Sequence, residues 1–219
     1  MLTAQAIDVF TASYDLLAHA FLDGPAAVSR DSLPELDSLI EATARVCEDR
    51  DVWISTITKL AAATATERAR AAADHIACFG PPVPARHVPS YASVYLDDGL
   101  LWGRSTFDVL ALLDAEELSW DRRRRGPGGS LIQAPDHVGV ELAFVAVASG
   151  RPASPERARR VEAMLAHLVA WLPRLAAALE AKHTGEMPRL LVSCALSLVE
   201  ADLRRRENPR EVADEPTSD

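Results

Sequence analysis

Lysine, aromatic residues and long apolar runs are scarce in this sequence. Only two lysines, Lys59 and Lys182, occur in the 219-residue chain, and aromatic residues make up 5% of it. No uncharged apolar run of about 18 residues is present, so no membrane span is expected. An early acidic residue, Asp8, and the lack of a basic start argue against a signal peptide. Hydrophobic residues still make up 48% of the chain, which predicts a core built mainly of Ala, Leu and Val.

The common ligand-binding and catalytic motifs are missing as well. The sequence contains no glycine-rich phosphate loop, no HExxH pair and no GxSxG elbow. Its three cysteines, Cys47, Cys78 and Cys194, lack CxxC or other metal spacing, which predicts buried free thiols. The net charge of −9 argues against nucleic acid and favours a basic peptide or protein as partner.

What is present is apolar periodicity of three and four residues, which is typical of amphipathic helices. The predicted helices span 3–22, 32–46, 53–60, 64–79, 105–113, a segment starting at Pro135, 154–182 and 188–205. No strand pattern occurs. The sequence therefore predicts an all-α fold, a single globular domain over 1–206 with roughly eight to ten helices. The charged tail 207–219 is expected to be disordered.

The segment 80–104 differs from its surroundings. It contains four prolines, which prevent regular structure, yet it also carries Tyr91, Tyr95 and Trp102. Because exposing all these aromatic rings would promote aggregation, we expect an ordered irregular segment packed on the helices.

A corner at Pro135 is the first candidate for function. Pro135 suits the first turn of a helix, and Asp136 would place negative charge at the positive end of its dipole. His137 and Glu141 lie four residues apart and would share one helix face. The alternative is purely local structure, in which Asp136 and His137 only cap the helix.

A metal site is a second alternative for the same corner. Asp74 and His75 form another Asp-His pair, and the two pairs together offer metal ligands for a hydrolase. The spacing supplies no clear third and fourth ligand. His87 and His167 are predicted to be surface or packing histidines.

Four spaced segments, taken in order, resemble the TorD/DmsD family of redox-enzyme maturation chaperones. They are Cys78–Asp97, Leu101–Thr106, Ala134–Phe144 and the His-x3-Trp-x-Pro sequence His167–Pro173. The resemblance covers about residues 75–205. One departure is Gln133, where the family usually has an acidic residue.

The resemblance implies a cytoplasmic, non-catalytic chaperone without a cofactor or metal. Its expected partners are a molybdopterin oxidoreductase catalytic subunit and that subunit's twin-arginine signal peptide, with no nucleic acid and no stable membrane insertion. Apolar contacts to the peptide are predicted at Phe79, Tyr91, Tyr95 and Trp102, and the remaining contacts at Pro135, Asp136, His137 and Glu141. Monomer and domain-swapped homodimer both stay open, and so does a generic helical interaction domain.

Overall fold

The computed structural model describes residues 8–28, 35–80, 86–121, 124–126 and 132–208. Within these ranges, 73% of the residues are helical and no strand is formed, which confirms the all-α prediction. The elements are α1 (Val9–Leu22), a short 3-10 helix (Pro25–Ala27), α2 (Leu36–Val46), α3 (Arg50–Ala61), α4 (Ala65–Phe79), α5 (Ala92–Leu96), α6 (Arg104–Ala115), α7 (Val138–Gly150), α8 (Pro155–Ala181) and α9 (Glu186–Glu207). The predicted helix start at residue 32 lies outside the described residues, and so does the predicted tail 207–219 except for its first two residues.

Helix α1 packs along α7, and α8 lies between α7 and α9. Gly139 in the first turn of α7 permits this close approach, because a Cβ there would lie 2.6 Å from Leu22 Cγ. The core is continuous across these helices and is aliphatic for the most part, with few but large aromatic side chains such as Tyr14 and Trp53 fully buried.

Helix α8 is the long central element. Ser154 caps it by accepting a hydrogen bond from Arg157 N at 3.1 Å, and Pro155 occupies the first turn. Among the described helices, α8 alone is long and apolar enough to cross a membrane by length and composition. Its apolar stripe from Val161 to Leu179 is packed inside the domain, as expected of a core helix.

Helix α6 begins differently from the prediction. The sequence predicted a helix from residue 105, but the helix starts at Arg104, and the Ser105 N–H donates to Asp97 Oδ2 at 2.8 Å. Gly103 makes this possible, because a Cβ at that position would lie 2.4 Å from Asp97 Cβ. The cap therefore comes from the preceding loop and not from the helix itself.

Of the predicted segment 80–104, residues 81–85 lie outside the described residues. Residues 86–104 pack on the helices, as predicted, and they include the short helix α5, which the sequence did not indicate. Val88 N donates to Cys78 O at 2.8 Å, which ties the start of the segment to α4. The Tyr95 ring stacks on Trp171 of α8, with ring centroids 5.7 Å apart. Not every aromatic ring is covered, however, since Trp102 is exposed.

Candidate functional site

The corner before α7 is not helical: Pro135 and Asp136 form a turn, and His137 has an extended backbone. Ala92 N donates to Asp136 O at 2.9 Å and Val138 N donates to Ser90 O at 3.0 Å. These bonds form an antiparallel bridge between Tyr91 and His137. The prediction that the helix starts at Pro135 is therefore wrong: the bridge holds the backbone extended, and α7 begins only at Val138.

The Asp136 side chain caps another helix. Its Oδ2 accepts a hydrogen bond from Ser93 N at 2.8 Å, in the first turn of α5, and the residue is fully buried. Asp136 thus caps α5. The sequence had suggested that it would cap the helix that follows it, α7. Its second oxygen, Oδ1, is buried with no hydrogen-bond partner among the described residues.

His137 is the residue that caps α7. Its Nδ1 accepts a hydrogen bond from Gly139 N at 3.1 Å, and its ring lies edge-on to Tyr91 with centroids 5.3 Å apart. Burial lowers the pKa of His137 to about 3, and His75 and Arg124 act in the same direction. The ring is therefore neutral near pH 7, with the proton on Nε2, because Nδ1 must accept.

Glu141 faces α8. Its Oε2 accepts a hydrogen bond from Trp171 Nε1 at 3.0 Å, and its Oε1 lies 3.2 Å from His167 Nε2. Burial raises the pKa of Glu141 above its ordinary value, while His167 and Trp171 oppose that rise. Burial would by itself lower the pKa of His167, but the Glu141 carboxylate more than offsets this, and the value is raised.

His167 is a site residue that the sequence reasoning missed. Its side chain is only 14% exposed and pairs with a fully buried carboxylate, so the prediction of a surface or packing histidine is incomplete. The available signal was the spacing of His167 and Trp171, which lie four residues apart and share one face of α8. Both side chains reach Glu141 from that face.

Three of the four predicted aromatic contacts are half-buried. Phe79 packs against His75 with ring centroids 5.0 Å apart. The Tyr91 hydroxyl accepts a hydrogen bond from Gln133 N at 3.0 Å, and the Tyr95 hydroxyl donates to Pro89 O at 2.7 Å. These rings hold the segment 86–96 in place while keeping part of their surface accessible.

The fourth aromatic residue, Trp102, lies in a separate surface cluster. It is 38% exposed and its backbone is left-handed, with φ of 67°. Its ring contacts Trp120 and Phe107, with centroids 6.1 Å and 6.5 Å away. The structure therefore gathers Tyr91, Tyr95 and the Pro135–Glu141 corner, and sets Trp102 apart from them.

The second Asp-His pair does not complete a metal site. His75 Nε2 lies 3.3 Å from Phe21 O, and burial lowers the pKa of His75 to about 4. Asp74 lies against Gly185, at the start of α9. Within the described ranges, no group of three or more His, Cys, Asp or Glu side chains could hold a metal ion.

These features define a class of protein: an all-α domain whose buried polar groups position its own loops and whose aromatic side chains reach the surface. The chain belongs to the nitrate reductase delta subunit family, whose sequence model matches residues 35–177. All eight predicted site residues lie within that match. A search of the curated proteins found no match.

This membership confirms the resemblance to the TorD/DmsD chaperones. The protein is accordingly a chaperone of molybdoenzyme maturation, a non-catalytic role in which the family acts on a molybdoenzyme catalytic subunit.

Proposed function

We propose that this chaperone binds the twin-arginine signal peptide of a molybdopterin oxidoreductase catalytic subunit in the cytoplasm, and holds the apo-enzyme until its cofactor is inserted. The observation that carries the proposal is the exposed Trp102 cluster on an acidic member of a maturation-chaperone family. A signal peptide of this kind has a basic start and an apolar middle, so an acidic surface with accessible aromatic rings is complementary to it.

The apolar part of the peptide supplies most of the affinity. Burying three or four leucine side chains contributes about 1.5–3 kcal/mol each. Exposed arginine–carboxylate pairs add only about 0–1 kcal/mol each, so the negative charge of the chaperone mainly steers and orients the peptide. Trp102 is the most accessible apolar contact, and Phe79, Tyr91 and Tyr95 contribute the parts of their rings that stay uncovered.

The buried corner has a positioning role in this proposal. Asp136 caps α5, the helix that carries Tyr95, and His137 packs against Tyr91. Glu141 fixes Trp171, on which the Tyr95 ring stacks. Pro135 is buried in the turn of the same corner. Asp136, His137 and Glu141 thus act on the peptide through an aromatic side chain and not through direct contact.

The proposal is tested by titrating the purified chain with a labelled synthetic peptide that carries two adjacent arginines followed by a leucine-rich stretch. A scrambled peptide of the same composition is the control. We expect saturable binding of the ordered peptide and much weaker binding of the scrambled one. Equal binding of both would indicate a generic helical interaction domain, and stoichiometric zinc or iron in the purified protein would support the metal-dependent hydrolase instead.

A further inference from the structure

Three of the five large hydrophobic residues that are exposed in the described chain occur within eight positions of one another. Leu100 is 63% exposed, Trp102 is 38% exposed and Phe107 is 59% exposed. The half-buried Trp120 completes the group, with its ring 6.1 Å from that of Trp102. We call Leu100, Trp102, Phe107 and Trp120 the aromatic patch. Exposed apolar groups of this kind mark interaction surfaces on soluble domains.

The backbone turns Trp102 outward through fixed contacts. Asp97 accepts the Ser105 N–H at the start of α6, and Gly103 lies directly against the Asp97 side chain. Between these anchors Trp102 has a left-handed backbone, which is unfavourable for a bulky residue. The exposed ring is therefore held by a defined turn.

Carboxylates surround the aromatic patch along the chain. Residues 97–121 contain seven carboxylates and a single arginine, Arg104. One of the seven, Glu116, is buried and paired with three arginines from other segments. The exposed carboxylates are Asp98, Asp108, Asp114, Glu117 and Asp121. Asp114 lies two turns after Phe107 on α6, so these two side chains share one face of the helix. Asp108 lies beside that face, with its Oδ2 3.9 Å from Arg104 Nε.

We infer that the aromatic patch and its surrounding carboxylates are the docking surface for the client signal peptide. The patch takes the apolar stretch and the carboxylates take the paired arginines, whose planar guanidinium groups suit carboxylate acceptors. This inference rests on the proposed function and adds Leu100, Phe107 and Trp120 to the site. A second copy of the chain is a poorer occupant, because a symmetric contact would bring like charges together.

Apolar variants test the location with the full chain and the same labelled peptide. Phe107→Ser removes one exposed aromatic ring of the patch. Trp102→Gly removes the second, and glycine readily adopts the left-handed backbone at that position. Val147→Ser, at another exposed apolar residue, is the matched control. We expect each patch variant to weaken peptide binding by roughly tenfold or more while the domain stays folded at the assay temperature, as a melting curve of each variant checks. The control should keep the wild-type affinity.

Charge variants test the arginine contact. Asp108→Asn combined with Asp114→Asn should weaken binding at low salt and have little effect at high salt, because exposed charges are screened. The exposed Glu162→Gln on α8 is the control. The double variant should bind a peptide with both arginines replaced by glutamine as well as wild type does.

The outcomes separate the two proposals. If wild type binds the peptide and all patch variants bind it equally well, the docking surface is wrong while the proposed function stands. If wild type does not bind the peptide, the proposed function fails and this inference fails with it. A wild-type dimer in light scattering that Phe107→Ser dissociates would show that a second copy covers the patch, which also overturns the inference.

Discussion

Asp136 belongs to the loop before α7, yet its carboxylate holds the first turn of α5. The two segments are 43 residues apart in sequence at the Ser93–Asp136 hydrogen bond. Because an aspartate can satisfy the free N–H groups of a helix start from any direction, a cap need not come from the adjacent residue. At the scale of single residues, this is why the sequence did not predict which helix Asp136 caps.

Asp136→Ala should therefore destabilise the fold more than Asp136→Asn. Alanine leaves the Ser93 N–H buried and unpaired, which costs about 1–3 kcal/mol. Asparagine can place its carbonyl oxygen where Oδ2 of Asp136 accepts the Ser93 N–H. Its amide nitrogen then takes the position of Oδ1, which has no partner in the described structure. Urea unfolding of both variants measures the difference.

In the same two variants, losing the cap of α5 should also lower the affinity for the peptide. Asp136→Ala should therefore bind the peptide less tightly than Asp136→Asn. Equal stability of wild type and the alanine variant would contradict the capping role. The exposed Asp15→Asn on α1 provides a control for a simple loss of charge.

At the scale of elements, helices with local signals at their ends were predicted well. Thr64 and Glu67 form a capping box at the start of α4, and Ser154 caps α8. The starts of α6 and α7 were predicted less well, because Asp97 and the Tyr91–His137 bridge act from outside each helix. The spacing of apolar residues predicts which face of a helix is buried, but it does not predict a backbone bridge to a distant segment.

Glu116 joins the end of α6 to the start of α8. Its side chain is 1% exposed and lies 2.8 Å from Arg157, 2.6 Å from Arg160 and 3.4 Å from Arg151. Burial raises the pKa of Glu116, but Arg157 and Arg160 more than offset it and the value is lowered overall. A carboxylate with a lowered pKa contributes stability above its unfolded pKa, and that stability is lost as the pH falls through the folded value.

Glu116→Gln should destabilise the domain at pH 7 by about 3 kcal/mol, since the three guanidinium groups lose their shared counter-charge. The difference from wild type should shrink as the pH falls from the ordinary glutamate pKa, where the unfolded chain takes up a proton, through the lowered folded value, below which the folded carboxylate is neutral as well. Chemical unfolding at pH 7 and at acidic pH measures both effects. Glu117→Gln, an exposed neighbour, is the matched control, and an equal loss in that variant would contradict the role of the buried network.

At the scale of the whole molecule, negative charge is in excess on the surface, whereas the buried carboxylates Glu116 and Glu141 are paired with basic side chains. The chain carries a net charge of −9, and the exposed carboxylates near the aromatic patch belong to that excess. Inside, Glu141 is paired with His167 and Glu116 with arginines. The overall acidity is read directly from the sequence. The sequence did not predict which carboxylates are buried, since that depends on how α6, α7 and α8 come together.

Two neutral histidines in the interior set a further property of the whole domain. The pKa of His75 is lowered to about 4 and that of His137 to about 3, in both cases chiefly by burial. In the unfolded chain each histidine would take up a proton near pH 6.5. Between those values the unfolded state binds more protons than the folded state, so stability present above pH 6.5 is lost as the pH falls toward 4.

His137→Asn should flatten this acid dependence. Asparagine is a good N-cap and can still accept the Gly139 N–H, but it does not titrate. At pH 7 the variant should lose only the edge contact with Tyr91, about 0.5–1.5 kcal/mol. The free energy of unfolding, measured from pH 7 to pH 4, should fall less steeply for the variant than for wild type, by one fewer proton taken up at most. Replacing the exposed His183 in the same way is the control. If His137→Asn keeps the full wild-type slope, then His137 does not remain neutral in the folded protein, and the cap at the start of α7 must be made in another way.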